Sequence, residues 1–418
     1  MLVTEPTAPS AAQAVEPSWS VSGASAPVTP VRPTDRTTCR LCGSTSLLPY
    51  LDLGCQPLAN ALRDPADTRE ERRIPLCIQA CLYCTLSQLT EVVDPALLYS
   101  QYAYYSGVNP AWHTHCASLA DTLEPLEGKF VLEIASNDGT FLKECDRRGA
   151  AILGVEPAGN FLTCGYPLVS AFWTHDVALR ATILGKVDYL VAMNVLGHVD
   201  DVHNFMAGIA LALAPEGRAI IEVPYLLDLL RNNAFDTVYH EHLSYWTVTA
   251  LCRLATDHGL TVNGVARLPD IHGGSLRVFL SRNGLQGRSV RRLLGAESAY
   301  LVSSVYQEFA ARVWDLIRRI DAAMPVFGYG AAAKTTVLLN LLKHPPVVVY
   351  DDSPQKQGKR MPGVGVLISS PTGAAFTAVR ELAILPWNWA DELMRRAREH
   401  GFTGRFFVPL PEPRWVNA

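Results

Sequence analysis

The sequence predicts an α/β protein in which a small N-terminal zinc-binding domain precedes two Rossmann-like domains. Two Cys-x-x-Cys pairs stand near the N-terminus, in a segment too short to bury a large core of its own. From Lys129 onward, short apolar runs alternate with amphipathic stretches, and this rhythm restarts at Val326 after a long helix. Such alternation is typical of doubly wound parallel sheets. A chain of 418 residues has room for two or three domains.

Composition and charge narrow the class of protein. Hydrophobic residues make up 49% and charged residues 18% of the chain, which is ordinary for a globular protein. A net charge of −4 without a polybasic block does not indicate a nucleic-acid partner. The chain lacks both the long apolar run of a membrane span and the pattern of a secretory signal, so we expect a cytoplasmic protein. Residues 1–37, rich in Ala, Pro, Ser, Thr and Val, are predicted to be a disordered tail.

Four cysteines are predicted to hold a zinc ion. Cys39, Cys42, Cys81 and Cys84 form the pattern C-x2-C-x38-C-x2-C. Four thiolates on two tight loops suit the tetrahedral preference of Zn²⁺, and a site closed by four sulfurs is structural rather than catalytic. Ten cysteines in a chain without a secretory signal indicate a reducing compartment and a metal rather than disulfides. The predicted zinc-binding domain spans residues 38–98.

A tyrosine-rich bridge follows the cysteine pairs. The segment Gln101–Gly107 reads QYAYYSG, with Tyr104 at its centre. Dense tyrosines before a glycine are compatible with two roles. They pack as large rings, or they line a polar pocket, because a phenol offers both a flat face and a hydrogen-bond donor.

The first part of the central domain has the pattern of a nucleoside-binding site. The apolar strand Phe130–Ile134 runs into the turn Ala135–Gly139, a helix begins at Thr140, and the next strand ends at Glu156. Ligands of parallel α/β sheets bind beyond the carboxyl ends of the strands. A turn of small residues lets the backbone approach a ligand, and an acid after the second strand suits a ribose diol.

The chemistry of this turn favours S-adenosylmethionine. The turn lacks the Gly-Lys-Ser/Thr pattern of phosphate-binding loops, and Asp138 would repel a pyrophosphate. An acidic turn instead favours a cofactor with a cationic centre. The candidate cofactor-binding residues here are Asn137, Asp138, Gly139 and Glu156. A plain βαβ unit without a ligand is the alternative.

Two further strands extend the same sheet. The strand Val187–Met193 leads to Asn194 and His198, and the strand Arg218–Val223 leads to Tyr225. Because these residues follow the carboxyl ends of strands, Asn194 and His198 are candidate cofactor contacts and Tyr225 is a candidate substrate contact. The helices predicted around them are Val202–Leu213, Thr249–His258 and the long connector Ser298–Ala323.

The densest group of proton-transfer side chains is the quartet Tyr239-His240-Glu241-His242. Histidine titrates near neutral pH, and the quartet follows a strand of the cofactor sheet, so we favour general acid–base catalysis by these four residues. A metal site formed by His240, His242 and Glu241, with His272 as a candidate further ligand, is an alternative, although the helical H-E-x-x-H pattern is absent. A hydrogen-bonded structural cluster is the third possibility.

The last part of the chain repeats the pattern of a nucleotide-binding fold. The turn Gly328–Ala333 has the form G-x-G-x-x-A, and Asp351 follows the next strand, 21 residues after the second glycine. This is close to the dinucleotide fingerprint, in which backbone N–H groups at a helix N-terminus bind phosphate. Lys334 would add a positive charge for a diphosphate. Lys334 and Asp351 are therefore candidate substrate-binding residues in a predicted domain of residues 311–418.

A methyl donor beside a base indicates methylation of carbon. A carbon nucleophile must first lose a proton, and a neighbouring ketone makes that proton acidic. One imidazole would remove it, and a phenol or a second imidazole would stabilise the enolate oxygen. Transfer of a methyl group to oxygen or nitrogen needs less machinery of this kind.

The motifs of this chain form a recognisable set. Besides the two cysteine pairs they are GCQPLAN at Gly54–Asn60, YAYYSG at Tyr102–Gly107, VLEIASNDGTFL at Val131–Leu142, GVEPA at Gly154–Ala158, NVLGHVDD at Asn194–Asp201, FDTVYHEHLSYW at Phe235–Trp246, HGGSLRV at His272–Val278, GYGAAAK at Gly328–Lys334 and DDSPQKQGK at Asp351–Lys359. From about Cys39 to its C-terminus, the chain resembles the sugar C-methyltransferases that act on nucleotide-linked 4-keto-deoxysugars in antibiotic biosynthesis. The stretch Asn160–Ala171 departs from the family pattern.

The resemblance implies a methyl donor, a metal and a substrate. S-adenosylmethionine would bind to a central class I methyltransferase domain of residues 99–310, and Zn²⁺ would be structural. A nucleotide sugar, with dTDP as the expected nucleotide, would lie between this domain and the C-terminal one. The resemblance further implies that His242 is the general base, with Tyr239 and Glu241 beside it, and that Tyr104 contacts the substrate. We expect a monomer without nucleic-acid or membrane partners.

Two rival functions remain open on the sequence alone. An NAD-dependent nucleotide-sugar oxidoreductase would use the C-terminal fingerprint for its cofactor. A non-catalytic nucleotide-sugar-binding protein would use the same fingerprint without any chemistry at the quartet.

Overall fold

The computed structural model describes residues 36–100, 105–108, 110–183, 185–269, 271 and 273–417. The strands form sheets of four, seven and six strands, which follow one another along the chain as the predicted domains do. The predicted domain boundaries remain predictions, and nearly all of the predicted tail lies outside the described residues. None of the helices in the described ranges is both long and apolar enough to cross a bilayer.

The N-terminal sheet takes its last strand from a distant part of the chain. Its elements are β1 (Leu47–Pro57), β2 (Arg73–Cys81), β3 (Ser87–Leu89), α1 (Pro95–Tyr99) and β9 (Ser244–Tyr245). The four strands are antiparallel in the order β1-β2-β3-β9, and Ser87 pairs with Tyr245. Because β9 begins just after His242, the quartet is attached to the zinc-binding segment.

The central sheet has the doubly wound arrangement that the sequence predicts. Its strands are β4 (Phe130–Ile134), β5 (Ala151–Val155), β6 (Leu168–Val169), β7 (Val187–Met193), β8 (Leu213–Pro224), β10 (Thr261–Leu268) and β11 (Ser275–Ser281). They lie in the order β10-β11-β8-β7-β4-β5-β6, with only β10 and β11 antiparallel to their neighbours. The chain winds outward from β4 to β6 and returns to β7, so the order reverses between β4 and β7. Ligands of such sheets bind at that position.

Helices flank this sheet, and one predicted helix is divided. The helices are α2 (Pro110–Asp121), α3 (Thr140–Asp146), α4 (His175–Ala181), α5 (Val202–Ala212), α6 (Leu226–Arg231), α7 (Val248–Asp257), α8 (Arg288–Tyr300) and α9 (Ser303–Ala323). The single helix predicted for Ser298–Ala323 is wrong, because the backbone leaves the helical conformation at Leu301 and Val302. Glu297 of α8 is buried against the start of α7, whereas α9 packs on the N-terminal and C-terminal segments. The break lets the chain change direction between these two surfaces.

The C-terminal sheet is parallel except at one edge. Its elements are β12 (Phe327–Tyr329), α10 (Ala333–Leu339), β13 (Val348–Tyr350), β14 (Leu367–Ser369), α11 (Ala374–Thr377), β15 (Glu381–Ile384), α12 (Ala390–Glu399), β16 (Arg405–Val408) and β17 (Arg414–Val416). The order is β14-β13-β12-β15-β16-β17, so the strand order reverses between β12 and β15. The G-x-G-x-x-A turn follows β12 directly and therefore lies at the expected ligand position.

One hydrophobic core connects the N-terminal and C-terminal sheets through α6 and α9. It contains Ile78 of β2, Phe235 just before the quartet, Phe309 of α9 and Leu338 of α10, none of which is exposed. Apolar side chains buried in one continuous cluster resist separation, since each buried aliphatic or aromatic side chain contributes roughly 1.5–3 kcal/mol. Val238 and Leu243, which flank the quartet, belong to this core, so the quartet is anchored between the N-terminal and C-terminal sheets.

Candidate active site

The four predicted zinc ligands lie together. The Sγ atoms of Cys39, Cys42, Cys81 and Cys84 are all within 4.8 Å of one another. Four sulfurs about 2.3 Å from a central ion stand about 3.8 Å apart, so this spacing and donor set fit a tetrahedral Zn²⁺ site. No second group of metal-ligating side chains occurs among the described residues, which do not include His272. A metal site at the quartet therefore has no support from them.

The first cysteine loop packs on the segment that follows His198. His203 Nε2 donates a hydrogen bond of 2.6 Å to the Leu41 carbonyl. Arg40 is buried, and its guanidinium lies 3.7 Å from the carboxylate of Asp200. Burial lowers the pKa of Arg40 to about 10, so the side chain is still charged at neutral pH. The zinc loop thus supports the segment that carries His198.

His242 is held in the orientation of a base. Its Nδ1 lies 2.8 Å from the Thr237 carbonyl oxygen, which can only accept, so Nδ1 carries the proton and Nε2 carries the lone pair. The rings of Tyr239 and His198 flank the imidazole with centroid distances of 4.0 Å and 5.0 Å. All three of these side chains are partly exposed, so a ligand can reach them.

The hydroxyl of Tyr99 contacts both His198 and the backbone of Glu241. It lies 2.6 Å from His198 Nδ1 and donates to the Glu241 carbonyl oxygen at 3.2 Å. His198, predicted as a cofactor contact, therefore lies beside His242. Sequence reasoning missed Tyr99, which ends α1 two residues before the tyrosine-rich bridge and has no motif of its own.

The carboxyl of Glu241 is buried at the back of the cluster. The residue is 3% exposed, and its Oε1 accepts a hydrogen bond of 2.6 Å from Asn60 Nδ2. Its Oε2 has no hydrogen-bond partner among the described residues. Burial raises the pKa of Glu241 to about 7, so both protonation states are populated at neutral pH.

His240 is turned away from the other three members of the quartet. It is 2% exposed, and its Nε2 lies 3.2 Å from the carbonyl oxygens of both Ile74 and Pro75 in the N-terminal sheet. Burial lowers the pKa of His240, which favours the neutral imidazole. The structure thus brings Tyr239 and His242 together with His198, places the Glu241 carboxyl at Asn60, and leaves the ring of His240 outside.

Three residues of the predicted cofactor turn have left-handed backbone conformations. The φ angle is 56° at Ala135, 51° at Asn137 and 75° at Gly139. Such angles cost energy for residues with a Cβ, and backbone strain of this kind is concentrated at ligand sites. Asn194 has a φ of 56° after β7, on the opposite side of the reversal in strand order. The predicted cofactor residues therefore border one crevice.

Two buried carboxyl groups at this crevice fit a cationic cofactor. Glu156 accepts hydrogen bonds of 2.9 Å from the backbone N–H groups of Asn137 and Ala158. Glu133 of β4 is 5% exposed, and its Oε2 has no hydrogen-bond partner among the described residues. Burial and the nearby charges of Asp138 and Glu156 raise the pKa of Glu133. The ammonium and sulfonium groups of S-adenosylmethionine would relieve this repulsion. Sequence reasoning had taken Glu133 as an ordinary member of its strand.

Asn137 and Asp138 also hold the end of the tyrosine-rich bridge. Asn137 Oδ1 accepts from the Ser106 N–H at 3.0 Å, and Asp138 Oδ2 accepts from the Gly107 N–H at 2.7 Å. A Cβ at position 107 would come within 2.8 Å of Asp138 Oδ2, so glycine is required there. The bridge therefore ends against the cofactor turn. Tyr104 lies outside the described residues.

Tyr166 covers the cofactor turn and was missed by sequence reasoning. Its hydroxyl donates to the Asn137 carbonyl at 2.5 Å and lies 3.1 Å from Ser136 Oγ. A Cβ at Gly139 would stand 2.4 Å from the Tyr166 ring. Tyr166 belongs to the stretch that departs from the family pattern, so no motif marked it.

The predicted substrate residues occupy three different environments. Tyr225 is 1% exposed and donates to Glu297 Oε1 at 3.0 Å, so its hydroxyl is used inside the core. Asp351 accepts from the N–H groups of Ala331 at 2.7 Å and Ser353 at 2.9 Å, which fixes the G-x-G-x-x-A turn. Lys334 is partly buried beside this turn. Of the three, Lys334 is the best placed to meet a ligand.

Comparisons with known proteins agree with this arrangement. Three family models match successive parts of the chain: a zinc-binding domain at residues 39–99, a methyltransferase domain at 112–264 and a C-methyltransferase C-terminal domain at 270–411. The C-methyltransferase NovU of Streptomyces niveus is 34% identical over 415 residues, which covers 93% of this chain and 98% of that relative.

Solved methyltransferase structures resemble a part of the chain. Magnesium protoporphyrin IX methyltransferase from Synechocystis PCC 6803 with bound SAM is 11% identical, with a TM-score of 0.32, over 41% of this chain and 78% of that one. A TehB-like SAM-dependent methyltransferase from Corynebacterium glutamicum is 17% identical, with a TM-score of 0.32, over 42% of this chain and all of that one.

The predicted cofactors are confirmed as S-adenosylmethionine and zinc by the methyltransferase match and by the four-cysteine cluster within the zinc-binding match. The predicted enzyme class is confirmed as well, because the relative and the C-terminal family model are both C-methyltransferases. The chain belongs to the family of S-adenosylmethionine-dependent C-methyltransferases with an N-terminal zinc-binding domain.

Proposed function

We propose that the enzyme methylates the ring carbon beside the ketone of a nucleotide-linked 4-keto-deoxysugar, with His242 as the base. The observation that supports this most directly is the hydrogen bond from His242 Nδ1 to the Thr237 carbonyl. It assigns Nε2 of this partly exposed side chain as the nitrogen that can accept a proton. The motif resemblance points to dTDP as the nucleotide and to antibiotic deoxysugar biosynthesis as the setting.

The residues around His242 suit the charge changes of this reaction. Nε2 takes the proton from the carbon beside the ketone, and the electron pair moves onto the ketone oxygen as an enolate. Tyr239, with its ring 4.0 Å from that of His242, is our candidate hydroxyl donor for this oxygen. Preorganised donors of this kind typically contribute about 10²–10³-fold in rate. S-adenosylmethionine supplies the electrophilic methyl group that the carbon then receives.

Glu241 and His198 assist the base. Glu241 directly precedes His242 in the chain, and its pKa of about 7 lets its carboxyl change charge near neutral pH. His198 meets the imidazole edge to face and is itself held by Tyr99. We leave His240 out of the catalytic set, because its ring faces the N-terminal sheet.

We assign the nucleotide to the C-terminal turn. The turn Gly328–Ala333 leads from β12 into α10, and the start of a helix after such a turn is a common position for phosphate. Lys334 adds a positive charge. Asp351 organises the turn rather than contacting the sugar, and Tyr225 supports the sheet from inside the core. Tyr104, next to the anchored bridge, remains a proposed sugar contact. We further propose that the enzyme acts as a monomer in the cytoplasm.

Isotope transfer tests the proposal. The enzyme is incubated with methyl-labelled S-adenosylmethionine and a panel of dTDP- and UDP-linked 4-keto-deoxysugars, and the product is analysed by NMR. We expect the label on the carbon beside the ketone. Without the methyl donor, the hydrogen on that carbon should exchange with D₂O in the wild type but not in His242→Ala. Label on oxygen, or normal turnover by His242→Ala, would contradict the proposal.

A further inference from the structure

A hydrogen bond between side chains connects the C-terminal domain to the loop that carries the base. Trp387 Nε1 donates to Asp236 Oδ2 at 2.8 Å. Asp236 is 0% exposed, and its second oxygen has no hydrogen-bond partner among the described residues. Trp387 follows Pro386, whose ring lies against Gly330 of the proposed phosphate turn. The hydrogen bond between Trp387 and Asp236 therefore begins beside the turn to which we assign the nucleotide.

Lys334 lies beside the hydrogen bond between Trp387 and Asp236. Its Nζ lies 5.3 Å from the centre of the Trp387 ring and donates to Asn388 Oδ1 at 3.4 Å. Burial lowers the pKa of Lys334, and the negative charge of Asp236 opposes that effect. In the other direction, burial raises the pKa of Asp236 to about 6, and the charge of Lys334 opposes that rise. The charge of Lys334 thus favours the ionised form of Asp236, and the charge of Asp236 favours the ionised form of Lys334, although both groups have little contact with water.

The far end of the contact is the hydrogen bond that orients His242. Asp236 is followed by Thr237, whose carbonyl oxygen accepts from His242 Nδ1 at 2.8 Å. Both residues belong to the turn Phe235–Thr237, in which the Thr237 N–H donates to the Ala234 carbonyl at 3.1 Å and the Val238 N–H donates to the Phe235 carbonyl at 3.0 Å, so a displacement of Asp236 bears on the Thr237 carbonyl. The start of α10, which includes Lys334, also packs on the turn Phe235–Thr237.

We propose that Asp236 and Trp387 are positioning residues that couple diphosphate binding at Lys334 to the orientation of His242. A phosphate group that binds Lys334 changes the interactions of Lys334 with Asp236 and Trp387. Through Thr237, this change reaches the orientation of His242. The inference rests on the proposed function and deepens it. The diphosphate contributes to turnover as well as to affinity, so sugars without it are poor substrates even at saturation.

Trp387→Phe is the first test, because it removes the indole N–H and keeps an aromatic ring beside Lys334. We expect kcat to fall about tenfold while KM for the nucleotide sugar changes by less than about threefold. The acidic limb of the kcat–pH profile should also shift, since His242 is less firmly oriented. Trp389→Phe, on the same turn, is the matched control and should behave as the wild type.

Asp236→Asn is the second test, because it keeps an oxygen for Trp387 and removes the charge opposite Lys334. Titration calorimetry with dTDP between about pH 6 and pH 9 should show affinity about tenfold weaker than in the wild type. The difference should grow with pH, as Lys334 loses its proton earlier. S-adenosylmethionine affinity should stay unchanged in both variants.

The outcomes separate the coupling from the proposed function. An active wild type with an unchanged kcat in Trp387→Phe, or unchanged dTDP binding in Asp236→Asn, contradicts the coupling alone. A fall in kcat that comes with lost S-adenosylmethionine binding makes the contact merely structural and also contradicts the coupling. A wild type that binds no dTDP and methylates no nucleotide sugar contradicts the proposed function and the coupling with it.

Discussion

Asn60 of the N-terminal segment donates a hydrogen bond of 2.6 Å to Glu241 Oε1 of the quartet. The two residues are far apart in sequence, yet Asn60 favours the ionised form of a carboxyl whose pKa burial raises to about 7. Hydrogen bonds to charged groups contribute about 1.5–3 kcal/mol. The zinc-binding part of the chain therefore takes part in setting the charge at the candidate active site.

Glu241→Gln should remove a pH dependence of stability. A carboxyl whose pKa is raised from 4.5 to about 7 by folding is stabilising while it is neutral, below pH 4.5, and this contribution is lost as the pH rises through about 7. The loss is on the order of 3 kcal/mol. Urea unfolding at about pH 5 and about pH 8 measures it.

The comparison needs a surface control. Glu127→Gln changes an exposed carboxyl and should leave the pH dependence of the wild type intact. If Glu241→Gln loses as much stability between the two pH values as the wild type does, the carboxyl of Glu241 is ionised throughout.

Tyr99→Phe should lower kcat about tenfold, the usual consequence of losing one or two hydrogen bonds worth about 1 kcal/mol each. The hydroxyl holds His198 and the Glu241 backbone, so the geometry around His242 loosens while the crevice for the methyl donor is untouched. Steady-state kinetics and S-adenosylmethionine titration measure the two effects. Tyr83→Phe, at a site 67% exposed, is the control. Equal kcat values for the two variants would show that the Tyr99 hydroxyl has no role.

Removal of zinc should abolish turnover before it abolishes cofactor binding. The cysteine loops hold β3, which pairs with β9, and β9 follows His242 directly. The cofactor turn belongs to a different sheet. We expect Cys84→Ser to lose turnover at least about 100-fold and to keep S-adenosylmethionine affinity within about fivefold. Metal content by elemental analysis should fall in parallel, and a metal-free variant with full activity would contradict this account.

Gly139→Ala should weaken S-adenosylmethionine binding by at least about tenfold. Its φ of 75° costs an L-residue roughly 1–2 kcal/mol, and the new Cβ would stand 2.4 Å from the Tyr166 ring. Gly128→Ala is a matched control, because Gly128 has a φ of 73° but open space around its Cβ position. Adding Tyr166→Ala should restore part of the affinity. Calorimetric titrations that give the same affinity for Gly139→Ala and Gly128→Ala would exclude the clash.

Local patterns were sufficient to predict the doubly wound sheets. The strands Phe130–Ile134 and Val187–Met193 are mostly apolar, with one acid each, and the structure has them with the same bounds. The four cysteines were predictable for the same reason, since short spacing alone brings each pair together. Side-chain chemistry at the carboxyl ends of strands then indicated the cofactor.

Contacts between distant segments were beyond the reach of these patterns. Asn60, Tyr99 and Tyr166 acquire their roles from neighbours that only the folded chain brings close. The quartet shows the same limit, because His240 and His242 have identical side chains and similar flanking residues. Which ring faces the cleft depends on the pairing of β9 with β3. The break between α8 and α9 at Leu301 could not be predicted either, because the helical periodicity of the sequence continues across it.

The pairing of β9 with β3 also constrains how the chain is made. Strands β1, β2 and β3 leave the ribosome long before β9 does, so their sheet has an unprotected edge until Tyr245 has been synthesised. A fragment that stops after the zinc-binding segment keeps that edge open and is prone to aggregate. Chimeras between relatives should therefore exchange the N-terminal segment and residues 239–246 as a single unit.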